Sequence, residues 1–277
     1  MSGPAESAPG LRSGDAVLVA DVGNTRIKLA VVSPPAGTGL PGVTQRHDLG
    51  ARDVRVAAVE AWLRVAAPGP AVMLLASVHE AAAARLEGAL AELSATRHRP
   101  LRQRRVKHDD LPLEIRVDEP HRVGIDRLAG AAAAARTKPA GVPAIVVDCG
   151  TATTVDLVSD AGVFLGGAIL PGPALMARAL AEGTSRLPEV AALEHDGPPP
   201  LPGRSTGAAI AAGIGWGIRG AVTALVAEAR RVVGPQACII LTGGARGAVR
   251  DVLPGAVEMP DLVLAGIGMA AARACLR

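Results

Sequence analysis

A strand that runs into Asp-x-Gly and turns straight back into a second strand occurs twice in this chain. That repetition constrains the fold more than any other feature. The first copy is VLVADVGNTRIKLAVV at Val17 to Val32, and the second is AIVVDCGTATTVDLV at Ala144 to Val158. Their aspartates, Asp21 and Asp148, lie 127 residues apart. One such turn has an ordinary explanation, because Asp, Gly and Asn are the preferred residues of tight hairpins. Two of them, each opening a stretch of similar plan, read as a duplicated unit.

Around each hairpin the apolar pattern alternates between buried strands and amphipathic helices. After the first copy it predicts a strand over Val43 to Leu49 and a helix over Arg52 to Val65, with Val56, Val59 and Leu63 on one side. A buried strand over Ala71 to Val78 and an Ala-rich helix from Glu80 to about Leu93 follow. After the second copy it predicts a strand in GVFLGGAILPG, a helix near Ala174 to Glu182 and a long helix within Arg204 to Val233. ACIILTGGA, Ala237 to Ala245, is a strand entering a glycine-rich turn, and Asp261 to Cys275 closes the chain as a helix. Three strands, helix, strand, helix is an α/β plan with a mixed sheet. Gly213-Ile214-Gly215-Trp216-Gly217 falls within the long helical pattern, where close helix packing is expected.

With 277 residues, 49% apolar and 20% charged, the chain can bury a sizeable core and is not of disordered composition. Aromatic residues are only 1%, so that core is built from Ala, Val, Leu and Ile. A formal charge of +3, from 29 basic and 26 acidic residues, demands no nucleic-acid partner. The strongest basic run, Arg97 to Lys107, has no aromatic residue interleaved for base stacking and reads as a solvated face. Cys149, Cys238 and Cys275 are far apart, which fits a reducing cytosol better than a disulfide framework or a zinc site. The six histidines show no metal-ligand spacing, and Leu193 to Gly203 is a loop stiffened by proline. Residues 1–14 read as a disordered extension without the apolar core of a signal peptide. The longest charge-free run, Ala161 to Ala177, falls short of the ~20 apolar residues of a membrane span and is interrupted by Gly-Gly and Pro-Gly-Pro. A soluble, cytoplasmic protein with no membrane partner is expected.

The residues at the two turns suit a nucleoside triphosphate. Glycine lets the backbone approach closely and aims successive N–H groups at phosphate oxygens. Asn24, Thr25, Thr151 and Thr153 add side-chain donors, and Asp21 and Asp148 can hold a hydrated Mg²⁺ or another cation. Such a cation offsets charge that develops in phosphoryl transfer. No Walker loop, protein-kinase set or strand–G-x-G-x-x-G–helix occurs. Leu241 to Ala245, LTGGA, suits a place where the glycine pair Gly243 and Gly244 lets adenosine lie against the backbone. A third constellation, Gly124-Ile125-Asp126-Arg127, opens an Ala-rich helix. Asp126 there is either an acid complementing the helix dipole or a base for an alcohol nucleophile.

Taken in order, DVGNT at Asp21 to Thr25, GIDR at Gly124 to Arg127, DCGTATT at Asp148 to Thr154, GGAILPG at Gly166 to Gly172, TSRLP at Thr184 to Pro188 and TGG at Thr242 to Gly244 resemble the type III pantothenate kinase family. That family belongs to the acetate and sugar kinase/heat-shock/actin superfamily. The resemblance runs from about Asp15 onward. It implies two tandem actin-like (ribonuclease H-like) domains with mixed five-stranded sheets and flanking helices, an ATP cleft between them, and a boundary that leaves residues 15–119 in the first domain and 120–277 in the second. It implies the ATP-dependent phosphorylation of pantothenate, the first step of coenzyme A biosynthesis, with Asp126 as general base. Asp21, Val22, Gly23, Asn24, Thr25, Arg26, Ile27 and Lys28 would bind ATP with Thr151, Gly243 and Gly244. Val117, Gly124, Ile125, Asp126, Arg127 and Thr184 would line the pantothenate site. Asp21 would hold Mg²⁺ through water, Asp148 a monovalent cation, K⁺ or NH₄⁺, and the active species would be a homodimer.

One stretch departs from the family. RVDEP, Arg116 to Pro120, has Val117 where the family has tyrosine and Glu119 where it has asparagine. A hydrogen bond to pantothenate is thus missing or supplied otherwise. Two alternatives stay open: a kinase of another small hydroxy compound, and a non-catalytic transcriptional accessory protein of the same fold. A zinc-binding cysteine cluster, as in repressor-type sugar kinase relatives, is absent from the sequence.

Overall fold

The computed structural model of the chain describes residues 15–274 apart from 36, 38, 97–99 and 192–196. The expectations for residues 1–14, for His195 and Cys275, and for the first part of the proline-stiffened loop lie outside the described residues. The chain forms two compact units: Met1–Pro112 with His121–Arg136 and Val263–Arg277, and Leu113–Pro120 with Thr137–Leu262. Where the sequence suggests one cut near residue 120, contacts assign the helix after it and the last helix to the first unit.

The sheet of the first unit is built from β1 (Ala16–Val22), β2 (Arg26–Ser33), β3 (Gly42–Gly50), β4 (Ala71–Ser77) and β5 (Leu101–Arg105), in the order β3-β2-β1-β4-β5. The β1–β2 and β2–β3 pairs are antiparallel, and β1–β4 and β4–β5 are parallel. Alternate residues face opposite sides of a strand. Leu18, Ala20 and Val22 therefore join Ile27, Leu29, Met73 and Leu75 in one core with Val59 and Leu63 of α1 (Val56–Ala66) and Leu86 and Leu90 of α2 (Glu80–Thr96). Each fully buried Val, Leu, Ile or Met side chain among them contributes roughly 1.5–3 kcal/mol through removal from water. The same unit contains α3 (Ile125–Thr137) and α6 (Leu262–Ala274). Gly266 of α6 lies on the backbone of Ala129 in α3, and Gly268 lies against Val32 and Pro41.

β5 lies within the basic run and forms an edge of the sheet. Its arginines are matched by carboxylates: Arg102 by Asp15, Arg104 by Asp110, and Arg105 by Glu80 and Glu87 at 2.6 Å. An arginine-rich edge also discourages pairing with another strand.

The second unit repeats the plan. β7 (Ala144–Cys149), β8 (Ala152–Val158), β9 (Val163–Pro171), β10 (Cys238–Thr242) and β11 (Val257–Glu258) run in the order β11-β10-β7-β8-β9, the counterpart of β5-β4-β1-β2-β3 with the same parallel and antiparallel pairings. This sheet has six strands, not the five expected. The two residues of β6 (Glu114–Ile115), in the segment that joins the units, pair with Val163 and Phe164 of β9. After α4 (Pro173–Gly183) comes the 28-residue α5 (Thr206–Val233), whose start is capped by Ser205 Oγ accepting from Ala208 N. By length and composition alone α5 could cross a membrane. Here its Ile218, Val222 and Val226 pack with Ile145, Val147, Val155, Ile239 and Leu241. Close packing expected of its glycines is not found at Gly213 and Gly217, where an added Cβ would meet nothing within 4 Å.

α6 and α3 approach each other closely at Gly266. A Cβ on Gly266 would lie 2.0 Å from the Ala129 carbonyl oxygen, whereas one on the exposed Gly88 of α2 meets nothing within 4 Å. Gly266→Ala is expected to destabilise the protein by roughly 1–3 kcal/mol through overpacking. Gly88→Ala is expected to be neutral or to stabilise by up to about 1 kcal/mol through helix propensity. Denaturant melts of both variants check this; equal midpoints would show that the helix crossing tolerates the extra methyl.

Candidate active site

The first hairpin puts a carboxylate one residue before the end of β1. Asp21 is 7% exposed and sits directly across from Lys28 of β2, whose Nζ lies 3.3 Å from Asp21 Oδ2. Gly23 N donates to Arg26 O at 3.0 Å and closes the turn, while Ala51 N donates to Thr25 O at 3.0 Å and ties it to the chain after β3. Asn24, Thr25 and Arg26 are left at an exposed tip, and Arg26 lies 4.0 Å from Asp48. Val22 and Ile27, both named from the sequence as ATP-binding, are fully buried in the core. Neither presents its side chain to a ligand.

Asp126 lies in the first turn of α3, and its Oδ1 accepts from Arg127 N at 2.7 Å. A carboxylate here is stabilised by the unsatisfied N–H groups of the helix start. Gly124 accounts for the motif's spacing, since a Cβ there would fall 2.5 Å from Asp126 Oδ1. That same Cβ would touch Val78 Cγ1 at 3.4 Å, and Val78 N donates to Val22 O at 3.1 Å. Through this short chain of contacts the start of α3 sits beside the carboxyl ends of β1 and β4, next to the Asp21 hairpin. In α/β sheets that edge is where ligands bind. Ile125 is buried, and Arg127 is half-buried beside Asp126.

In the second unit Asp148 stands one residue before the end of β7, across from Thr154 of β8. The turn is closed by Gly150 N donating to Ala152 O at 2.9 Å, and Thr151 is partly exposed with its carbonyl accepting from Gly172 N at 3.0 Å. The two glycines after β10 differ. Gly243 is buried with φ of +90°, and a Cβ on it would lie 2.2 Å from Cys149 O and 2.5 Å from Asp148 Oδ1. Gly244 is exposed, with nothing within 4 Å of its Cβ position. Gly243 therefore makes room for the hairpin and its carboxylate, and Gly244 is the one with an open face. Cys149 is 1% exposed; burial first and the charge of Asp148 second push its thiol up to about 12.

Val117, also in the second unit, rests against Gly166 of β9, whose Cβ position is 3.4 Å from Val117 Cγ1. Thr184 follows α4, where its Oγ1 donates to Leu180 O at 2.8 Å and accepts from Leu187 N at 3.3 Å. Its hydroxyl thus shapes the TSRLP turn. Sequence reasoning missed Val78 as the link between the Asp126 helix and the first hairpin. It also missed Arg246, whose Nη1 donates to Gly243 O at 3.1 Å, and Glu258, which holds Arg246 Nε at 2.9 Å. Only the ARGAVRD spacing after Gly244, with two arginines four apart, signalled a cation-rich turn there.

The family model and the curated relatives agree on one family. Residues 17–228 match the family model described as type III pantothenate kinase. The chain is 47% identical over 168 residues to the type III pantothenate kinase of Rhodopirellula baltica, a match spanning 59% of each protein. It is 35% identical over 253 residues to that of Janthinobacterium, spanning 91% of this chain and 95% of the relative. Among solved structures, a Baf family transcriptional activator from Campylobacter jejuni superposes with a TM-score of 0.55 at 18% identity, over 92% of this chain and 98% of that one. At that identity the likeness shows the fold.

The chemistry of Cys149 gives a direct check on how tightly the second hairpin is closed. The thiolate is the reactive form. A thiol pushed up to about 12 is ionised at pH 8 only about once in 10⁴ molecules. Iodoacetamide at pH 8 followed by peptide mass mapping is expected to leave Cys149 unmodified in the native protein and alkylated in denaturant. Native labelling at the rate of a free thiol would mean the turn opens readily.

Proposed function

Because the chain belongs to the type III pantothenate kinase family, we propose that it transfers the γ-phosphoryl group of ATP to the primary hydroxyl of pantothenate. The observation that carries this reading is Asp126 at the start of α3, beside the strand ends that carry the Asp21 hairpin. The pantothenate oxygen forms a new bond to the γ-phosphorus as the bond from phosphorus to the β-γ bridging oxygen breaks. The hydroxyl proton passes to an Asp126 carboxylate oxygen, and ADP leaves. Asp126 Oδ1 is oriented by Arg127 N at 2.7 Å, which fixes where the base's lone pairs point. The exposed tip at Asn24 and Thr25, with Thr151 of the second hairpin, supplies donors to phosphate oxygens, and the open backbone of Gly244 suits the nucleoside.

The divalent ion that accompanies ATP supplies charge neutralisation at the phosphates. Asp21 suits contact with it through water, because its Oδ2 is already paired with Lys28. The monovalent cation fits at Asp148 for a reason visible in the duplication. Asp21 has a lysine directly across the hairpin, whereas Asp148 has the neutral Thr154 in the same register. Asp148 would hold a K⁺ or NH₄⁺ ion, which would supply in the second hairpin the positive charge that Lys28 supplies in the first. The same proposal includes a cytoplasmic homodimer acting on small molecules without nucleic acid, in line with the carboxylate-matched arginines of β5.

The apolar Val117 against Gly166 favours one second reading, a related small alcohol as the preferred substrate. A coupled assay of ATP turnover over pantothenate and a panel of small alcohols decides between them. Turnover with pantothenate is expected; none, beside clear turnover of another alcohol, selects the second reading. Silence with every alcohol returns the accessory-protein alternative. Asp126→Asn is expected to lower kcat by ~10²–10⁴-fold, the usual contribution of a positioned base, with the fold and ATP binding retained. A kcat within a few-fold of wild type would make Asp126 a helix-start acid only.

The cation assignment has its own test. Initial rates of the wild type in K⁺, NH₄⁺ and Na⁺, at matched ionic strength because screening changes with salt, are expected to be higher in the first two. Asp148→Ala is expected to lose both activity and the preference for K⁺ over Na⁺. A weak mutant that keeps the K⁺ response would locate the ion elsewhere.

A further inference from the structure

The segment that follows Gly244 is pinned at three points, all within the second unit. Ala245 N donates to Cys149 O at 2.8 Å. Arg246 spans from Gly243 O to Glu258, and Arg250 closes on the same carboxylate, with Nη2 at 2.9 Å. The third point comes from the middle of α5. The side chain of Arg219 is only 3% exposed; its Nη1 donates to Ala248 O at 2.7 Å and to Gly197 O at 3.1 Å, and its Nη2 donates to the Asp251 carboxylate. The hydrogen bond from Arg219 holds the Asp251 carboxyl below its usual range.

Arg219 lies between turns of α5 that are otherwise apolar, with Ile218 and Val222 in the core beside it. Burying a guanidinium there is unfavourable unless its donors are matched. A methionine or leucine would fill the volume without that penalty. What an apolar side chain cannot do is fix two carbonyls and a carboxylate at set directions, as the planar fork of arginine does. Two of those three acceptors, Ala248 O and Asp251, lie four and seven residues beyond the open face of Gly244.

We infer that Arg219 is a positioning residue for nucleotide binding: through Ala248 and Asp251 it sets the conformation of the turn in which Gly244 presents its backbone to the nucleoside part of ATP. It touches no substrate itself. The inference rests on the reading of Gly243 and Gly244 as part of the ATP site.

The test uses the full-length protein and three variants: Arg219→Met, Arg219→Lys and Asp251→Ala. The last removes only a half-exposed carboxylate and leaves both carbonyl bonds of Arg219, so it remains usable if Arg219→Met does not fold. Binding of the non-hydrolysable analogue AMP-PNP with Mg²⁺ is measured by calorimetry, KM for pantothenate by steady-state assay, and folding by thermal melts. Arg219→Met is expected to weaken AMP-PNP binding at least tenfold and Asp251→Ala about threefold to tenfold. Arg219→Lys is expected to fall between the wild type and Arg219→Met, and KM for pantothenate to stay within twofold in all three. AMP-PNP affinity within twofold of wild type in Asp251→Ala, or in a folded Arg219→Met, overturns the inference. Equal losses for AMP-PNP and pantothenate with a lowered melting temperature also overturn it, because they mark general loosening. A wild type that binds AMP-PNP but does not phosphorylate pantothenate refutes the proposed reaction, and the variants' AMP-PNP affinities still decide the role of Arg219. A wild type that binds no AMP-PNP overturns the inference.

Discussion

In each sheet the strand that leads into the hairpin is apolar almost to its end and then carries an aspartate at its penultimate position, Asp21 in β1 and Asp148 in β7. Most of the site follows from having to accommodate those two carboxylates. A charged group at the end of a buried strand is tolerated only where it is paired or hydrogen-bonded. It has to lie at the sheet edge, so a tight turn follows at once, with Gly23 or Gly150 opening it. The strand after the turn must then run back antiparallel, because a two- or three-residue connection allows nothing else. The parallel neighbours β4 and β10 end at the same edge as the aspartates, which is why Val78 and Gly243 meet these turns.

The hairpins, the alternation of elements and the mixed sheets were legible because each rests on local pattern: period-two burial, helical periodicity and turn chemistry. The predicted bounds of β3, β4, α2 and α4 differ from the observed ones by a few residues at most. β5 was not legible, since LRQRR has the composition of a solvated run. It becomes a strand because β4 offers an open parallel edge and because Asp15, Asp110, Glu80 and Glu87 match its charges. β6 is two residues long and owes its existence to β9 alone. α3 and α6 belong with the first unit through contacts between segments far apart in sequence, such as Gly268 with Val32 and Gly124 with Val78, which no local window contains.

At the candidate site the sequence shows residue types, whereas their surroundings appear only in three dimensions. Gly-x-Asp-Arg was readable as a motif, but the reason for its glycine is the 2.5 Å clearance to the Asp126 carboxylate, a contact visible only in three dimensions. Gly243 and Gly244 look equivalent in the string TGG. One is buried and shaped by the backbone of Cys149, and the other is open. Val22 and Ile27 belong to the hairpin motif by position and to the core by burial. Arg219 could not be singled out, because an arginine in the helical pattern GIGWGIRGAV reads as one more surface cation until its acceptors are known.

The duplication also shows how one plan can acquire two different ends. In the first hairpin the residue across from the aspartate is Lys28, so a cation is built into the chain at 3.3 Å. In the second it is Thr154, whose Oγ1 donates to the buried Asp156 at 3.0 Å. A hydroxyl has one proton, so a Thr154 that donates to Asp156 offers its remaining lone pairs as acceptors. Oxygen acceptors near a carboxylate suit a hard cation. Where the first hairpin carries its own ammonium group, the second arrays oxygens along one face of β7 and β8, with Asp148, Thr154 and Asp156 following the strand period. A protein-borne lysine cannot be exchanged, whereas an ion held at Asp148, as proposed above, could be, and the electrostatics of the second hairpin would then depend on the surrounding solution.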